Sequence, residues 1–226
     1  MYANFFKRFL DFWLALLVLL FLSPVLLILT VVGAVVMKGN PFFTQLRPGK
    51  DERIFKLVKF RSMTCQKDKN GNLLPDEARL VPYGKLLRST SMDELPELWN
   101  ILKGDMAIVG PRPLLVKDVV FMTPEQRERH TVRQGLTGLA QVNGRNSITW
   151  EQKLDYDLQY ITTGITLRKD IGIVLKTIGK VFKRSDTIRE GTVSDLDLGD
   201  YLLQKGKIDQ KNYDGKQVEA RELLNI

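Results

Sequence analysis

The residues best suited to chemistry stand in Arg88-Ser-Thr-Ser91-Met92-Asp93-Glu94-Leu95-Pro96-Glu97-Leu98-Trp99, where an adjacent pair of carboxylates follows an arginine. Downstream, Gly110-Pro111-Arg112-Pro113 sets one guanidinium between two prolines. Both prolines restrict the backbone, so a stiff loop can offer two parallel donors to a phosphate. Three glycines and Arg145 crowd into Gly135–Asn146, a segment whose turns can present N–H groups to an anion. It matches neither the P-loop nor the dinucleotide fingerprint. Lys59 and Arg61 fall two residues apart on one face of an apolar stretch, either a cation pair for a phosphate or the charged face of an edge strand.

Composition narrows the chemistry further. The 226 residues include one cysteine, Cys65, and one histidine, His130, so neither a Cys/His zinc site nor a disulfide can be assembled within the chain. His130 ends the charged run Arg127-Glu128-Arg129, a context that suits a solvated helix face better than an oriented base. What remains is chemistry built on carboxylates, Lys and Arg. With 44% hydrophobic and 27% charged residues, the chain fits one globular domain of ordinary size plus a small appendage. The net charge of +8 is uneven: from Ser185 onward there are 6 Lys/Arg against 9 Asp/Glu, which leaves +11 on residues 1–184. A basic body meets nucleic acid, anionic lipid or phosphorylated small molecules, and charge alone does not choose among them.

The elements that must position these groups begin with a membrane segment. Phe12–Met37 is a run of 26 residues without a charge. As a straight helix it would be about 39 Å long, enough to cross a hydrocarbon core of about 30 Å. Ser23-Pro24 near its midpoint predicts a kink, because proline lacks the N–H that closes the bond to the carbonyl four residues back. Ser23 can satisfy the freed carbonyl or cap the second half. Each half is then about 18–21 Å long, too short to cross alone. Lys7 and Arg8 on one side, with Lys38, Arg47, Lys50 and Arg53 on the other, remove any charge preference for orientation. Two readings follow: a hairpin that enters and leaves by one face, and a proline-kinked single span.

Beyond this segment, apolar stretches on both sides of Pro48-Gly49 read as a short hairpin, and Gln66–Pro75 as a surface loop. Ser91 with Glu94 has the spacing of a capping box ahead of Leu95, Leu98, Trp99 and Leu102, although Pro96 disturbs the first turn. That box would put Asp93 and Glu94 in a helix first turn, where the dipole favours anions. Thr149 with Gln152 has the same spacing, leading Trp150, Leu154, Leu158 and Ile161. Ile171, Val174, Leu175, Ile178, Val181 and Phe182 form a stripe opposed by lysines, suited to a membrane interface or to core packing. After Ser185 the chain reads as a loosely packed acidic extension with a short helix near Val218–Leu224.

Taken together, the Ser23-Pro24 segment, Lys59-Phe-Arg-Ser-Met63, the Ser91–Met106 stretch with Asp93-Glu94, Gly110-Pro-Arg-Pro-Leu114 and Gly138–Arg145 resemble the bacterial sugar transferases, the monotopic phosphoglycosyl transferases. The resemblance covers about residues 1–184, and the short form looks most like the enzymes that start bacillosamine-type glycan assembly. One departure is Arg133-Gln134-Gly135, where the family commonly has proline before the glycine. The resemblance implies transfer of a sugar 1-phosphate from a UDP-sugar to undecaprenyl phosphate, with release of UMP, an aspartyl phosphosugar intermediate and Mg²⁺. It makes Asp93 the nucleophile and a metal ligand, and Glu94 its partner in handling the acceptor phosphate or its proton. Arg112 becomes a phosphate clamp, with Lys59, Arg88 and Arg145 as further phosphate-binding candidates. It also favours re-entry at Ser23-Pro24, and so a monotopic protein on the cytoplasmic face of the bacterial inner membrane. The expected architecture is α+β and mainly helical: a membrane hairpin over residues 1–38, a cytosolic catalytic body over 39–184 with a small β-hairpin and amphipathic interfacial helices, and an extension over 185–226. The partners are a UDP-sugar, undecaprenyl phosphate and membrane lipid, with no nucleic acid; homo-oligomerisation is left open. The competing class is a non-catalytic, single-pass anchored protein whose basic body binds nucleic acid or lipid. Its expected signature, aromatic and basic residues interleaved on a strand surface, does not stand out.

Overall fold

A computed structural model describes residues 2–144, 148–183 and 196–224. The architecture is α+β and mainly helical. The apolar run forms one helix, α1 (Lys7–Val36), which continues through Ser23-Pro24 and is not divided into two. The expected interruption is absent for a local reason: Pro24 leaves the Leu20 carbonyl without its helical donor, and Ser23 Oγ donates to that carbonyl at 2.8 Å.

Both ends of α1 rest on the same folded body. Near its start, Lys7 pairs with Asp170 at 2.6 Å, and Arg8 Nη2 donates to the Leu102 carbonyl at 2.8 Å. Ala15 is buried with Phe55, Leu57, Leu98, Ile101 and Met106. Near its end, Tyr83 Oη donates to the Leu29 carbonyl at 2.8 Å, and a Cβ on Gly33 would lie 2.9 Å from that hydroxyl. Between these anchorages the apolar surface is bare, and Phe21 is 84% exposed. By length and composition α1 is long and apolar enough to cross a membrane.

The expected hairpin is present as β1 (Phe42–Pro48) antiparallel to β2 (Ile54–Phe60), with Phe42 opposite Phe60 and Arg47 opposite Phe55. Two short helices follow, α2 (Asp76–Arg79) and α3 (Pro82–Ser89). Gly84 seats α3 against the strand exit, since a Cβ there would stand 1.8 Å from the Ser62 carbonyl oxygen. A 3₁₀ turn, Met92–Glu94, leads to α4 (Glu97–Lys103). The strand β3 (Met106–Val109) comes next, then the short helices α5 (Val116–Val119) and α6 (Pro124–Arg127). The chain returns as β4 (Gln134–Thr137), parallel to β3, a pairing too short to announce itself by alternation. There follow α7 (Leu139–Val142), α8 (Trp150–Thr162) and α9 (Leu167–Lys183), then α10 (Leu198–Gln204) and α11 (Gln210–Leu224).

The Thr149 capping box opens α8 as expected, with Thr149 N donating to Gln152 Oε1 at 3.0 Å. On α9, Ile171, Leu175 and Ile178 are exposed, so much of the apolar stripe faces outward and core packing does not account for it. The side chains of Phe182 and Lys183 lie outside the described residues. Two expectations are corrected. The C-terminal part is not a loose extension: Leu198 and Ala220 are buried in one core with Val120, Phe121, Trp150 and Leu154. The run Arg127–His130 is not a solvated face either, because Arg129 and His130 are both buried and Arg129 pairs with Asp157 at 2.8 Å.

Candidate active site

The carboxylate pair sits at a bend. Ser91 adopts a left-handed backbone (φ 56°), makes no cap bond, and sends the chain into the 3₁₀ turn that carries Asp93 and Glu94. The capping box expected at Ser91 and Glu94 therefore does not form. Pro96 moves the start of α4 to Glu97, and the Glu94 carboxylate goes elsewhere. Arg112 Nη2 donates to Glu94 Oε1 at 2.6 Å, and Lys59 Nζ donates to the same oxygen at 3.1 Å. Lys59 also stands 2.9 Å from Glu97 Oε1. Glu97 was not legible as a site residue, although its i,i+3 spacing from Glu94 was available.

Each cation is positioned by a separate piece of the fold. Asn100 on α4 is fully buried and bonds β2 twice, accepting from Val58 N at 3.1 Å and donating to the Lys56 carbonyl at 2.8 Å. That double bond fixes the strand next to Lys59. The Pro-Arg-Pro loop is pinned at its backbone: Gly110 N donates to the Thr137 carbonyl at 2.9 Å, and Gly135 N to the Pro111 carbonyl at 2.8 Å. This approach uses the glycines read earlier as an anion cradle, since a Cβ on Gly135 would lie 2.1 Å from Gly110 N. Arg129, also bonded to Asp157, donates to the Arg112 carbonyl, tying the loop to α8. Arg88 Nε donates to Ser62 Oγ at 3.0 Å. Of the sequence candidates, Lys59, Glu94 and Arg112 are in direct contact, while Arg145 lies outside the described residues.

The electrostatics differ from those of a helix first turn. Burial, then Glu94 alongside, push the Asp93 carboxyl above the ordinary aspartate range, against the pull of Lys59, Arg88 and Arg112. Burial likewise raises Glu97, offset in part by Lys59. Glu94 holds the Arg112 guanidinium even more firmly protonated than usual. The expectation that a helix first turn favours the Asp93 anion is not met: burial and a like charge outweigh the pull of three cations.

Two cavities meet at Arg112 and Gln141, which line both. The first, of about 310 Å³, is walled by Leu95, Ile108, Leu136, Val174 and Ile178, with Glu94 at its polar end. The second, of about 180 Å³, sets charged side chains, Arg47, Lys153, Asp157 and Asp197, among apolar ones, Leu114, Leu115 and Trp150. Asp93, half-buried beside Glu94, lines neither. Burial, then Arg112, lower the Arg47 guanidinium to about 10. Among the described residues no cluster of three or more His, Cys, Asp or Glu could cage a metal within the protein.

The family model described as bacterial sugar transferase matches residues 2–184. The chain is 45% identical over 176 residues to the uncharacterized sugar transferase EpsL of Bacillus subtilis strain 168, covering 77% of this chain and 86% of that one. It is 38% identical over 187 residues to the UDP-glucose:undecaprenyl-phosphate glucose-1-phosphate transferase of Klebsiella pneumoniae, covering 78% of this chain and 40% of that one. To the UDP-galactose-lipid carrier transferase of Erwinia amylovora it is 34% identical over 199 residues, covering 80% and 41%. The chain thus spans most of the Bacillus protein and about two fifths of the other two. A family match across residues 2–184, which takes in α1, the carboxylate pair and the Pro-Arg-Pro loop, shows that the chain belongs to the bacterial sugar transferase family.

Proposed function

We propose that the chain transfers a sugar 1-phosphate from a UDP-sugar to undecaprenyl phosphate and releases UMP. The observation that carries this reading is the convergence of Arg112 and Lys59 on Glu94, next to Asp93 and at the polar end of an apolar cavity walled in part by the outward-facing stripe of α9. A carboxylate oxygen of Asp93 attacks the sugar-linked phosphorus, and the bond to the bridging oxygen breaks, so UMP departs with that oxygen. An oxygen of the acceptor phosphate then attacks the same phosphorus, forming the new diphosphate bond and freeing Asp93. Arg112, Lys59 and Arg88 offset charge on the phosphoryl oxygens. Glu94, bonded to both Arg112 and Lys59, orients them and handles the acceptor phosphate or its proton.

Mg²⁺ fits the donor set: the half-buried Asp93 carboxylate supplies one hard oxygen, and this ion combines one or two carboxylates with substrate phosphates. Asp93 would hold it. When bound, the ion neutralises diphosphate charge.

The membrane reading rests on α1. Its two ends touch the body while its apolar middle is bare, which supports re-entry from the cytoplasmic face of the inner membrane and a monotopic protein. An N-acetylated, bacillosamine-like donor is the one the sequence resemblance implies, and relatives named for glucose and galactose make those hexoses necessary members of any panel. The test is UMP release from purified protein with Mg²⁺, undecaprenyl phosphate and UDP-sugars bearing glucose, galactose, N-acetylglucosamine and diacetylated bacillosamine. Release from at least one donor is expected; release from none would refute the reading in favour of a non-catalytic anchored protein.

A further inference from the structure

The second cavity has a property that the transfer chemistry leaves unexplained. Three of the residues that line it each carry a buried side-chain atom without a hydrogen-bond partner just behind the wall: Arg47 Nε, Asp157 Oδ1, and Nε2 and Oε1 of Gln141. Asp157 is only 3% exposed, and its other oxygen is held by Arg129. Each unpartnered buried group costs roughly 1–3 kcal/mol, so an occupant toward which these side chains turn would recover part of that cost.

The chemistry of that occupant follows from the walls. Arg47, Arg112 and Lys153 bring positive charge, and Asp118, Asp157 and Asp197 bring negative charge, so the lining favours neither an anion nor a cation. The unpartnered set mixes donors with acceptors, as a neutral ring bearing hydroxyl or amide groups requires. Trp150 adds an aromatic wall, anchored by its own Nε1, which donates to the Leu196 carbonyl at 3.0 Å. Arg112 at the junction would hold the donor's phosphate at the edge of this space.

Part of the wall lies outside the family match, which ends at residue 184. Leu196 and Asp197 both line the cavity. They are held there by Lys117, which pairs with Asp197, and by Asp118 Oδ1, which accepts from Leu198 N at 2.9 Å. The packing of α10 and α11 on Phe121 and Trp150 fixes this edge in place.

We propose that this cavity receives the sugar ring of the donor, that Gln141, Arg47 and Asp157 read its substituents, and that the C-terminal segment completes the pocket as a sugar-specificity element. The inference rests on the UDP-sugar reading above. The test is calorimetric titration of UDP-sugars and of UDP alone into an Asp93→Asn protein, which blocks turnover, with Gln141→Ala and Leu196→Trp added separately. The account expects Gln141→Ala to weaken the preferred UDP-sugar by about tenfold, the size of one lost buried hydrogen bond, Leu196→Trp to weaken it at least as much by filling the space, and UDP to weaken by less than about twofold in both. Equal weakening of UDP would assign the cavity to the nucleotide and overturn the proposal, as would unchanged sugar binding in both variants. If neither the wild-type nor the Asp93→Asn protein, titrated with Mg²⁺ present, binds UDP or any UDP-sugar, the donor reading itself fails and this proposal falls with it.

Discussion

Arg112 and Glu94, eighteen residues apart in sequence, are joined by a bond of 2.6 Å between Nη2 and Oε1. The pair links the Pro-Arg-Pro loop to the 3₁₀ turn that carries Asp93, so the phosphate-gripping cation and the attacking carboxylate are held in one frame. Arg112→Ala should lower kcat/KM by about 10²–10³-fold, the usual cost of removing one preorganised donor to a developing anion. Arg112→Lys should recover part of that loss, because it restores charge without the planar fork. Steady-state UMP release with both variants checks this.

The acid limb of the reaction should lie higher than for an ordinary aspartate. Asp93 must be ionised to attack, and burial with Glu94 raises its proton affinity, so activity falls as pH drops through that raised value. Glu94→Gln removes the like charge and should move the limb to lower pH. Measuring the burst of UMP without acceptor isolates the Asp93 step, and an acid limb that stays put in Glu94→Gln would contradict the assignment.

His130 makes a separate prediction about stability. Burial, then Arg129, lower its pKa from 6.5 to about 4, so the folded protein refuses a proton that the unfolded chain accepts. The stabilisation is complete above pH 6.5 and is lost as pH falls toward 4, by about 3 kcal/mol at about 1.4 kcal/mol per unit. His130→Gln should flatten that slope in denaturant titrations run from pH 7 to 4.

Much of the site could be read from residue types at short range. Asp93-Glu94, the proline-flanked Arg112 and the Ser23 rescue of a proline-freed carbonyl all depend on neighbours within a few positions. What could not be read depends on partners far along the chain. The pairing of Arg129 with Asp157 spans 28 positions, and a charged run shows nothing of such a partner. Four-residue strands such as β3 and β4 carry too few alternations to declare a parallel pair. Gln141 lies within the Gly138–Arg145 motif, but nothing local marks it as the residue at which two cavities meet.

Re-entry of α1 has a direct topological consequence. With exposed Cys65 replaced by serine, Ala3→Cys and Asn40→Cys should label together with an impermeant thiol reagent from the cytoplasmic side of membrane vesicles. Labelling from opposite sides would establish a span.

The covalent step is the centre of the account. Purified protein incubated with Mg²⁺ and its UDP-sugar, without undecaprenyl phosphate, should gain the mass of one sugar phosphate on the peptide containing Asp93, and adding acceptor should remove it. Asp93→Asn should gain nothing. A full rate of UMP release by Asp93→Asn, or a wild-type protein that turns over without ever carrying the added mass, would contradict it.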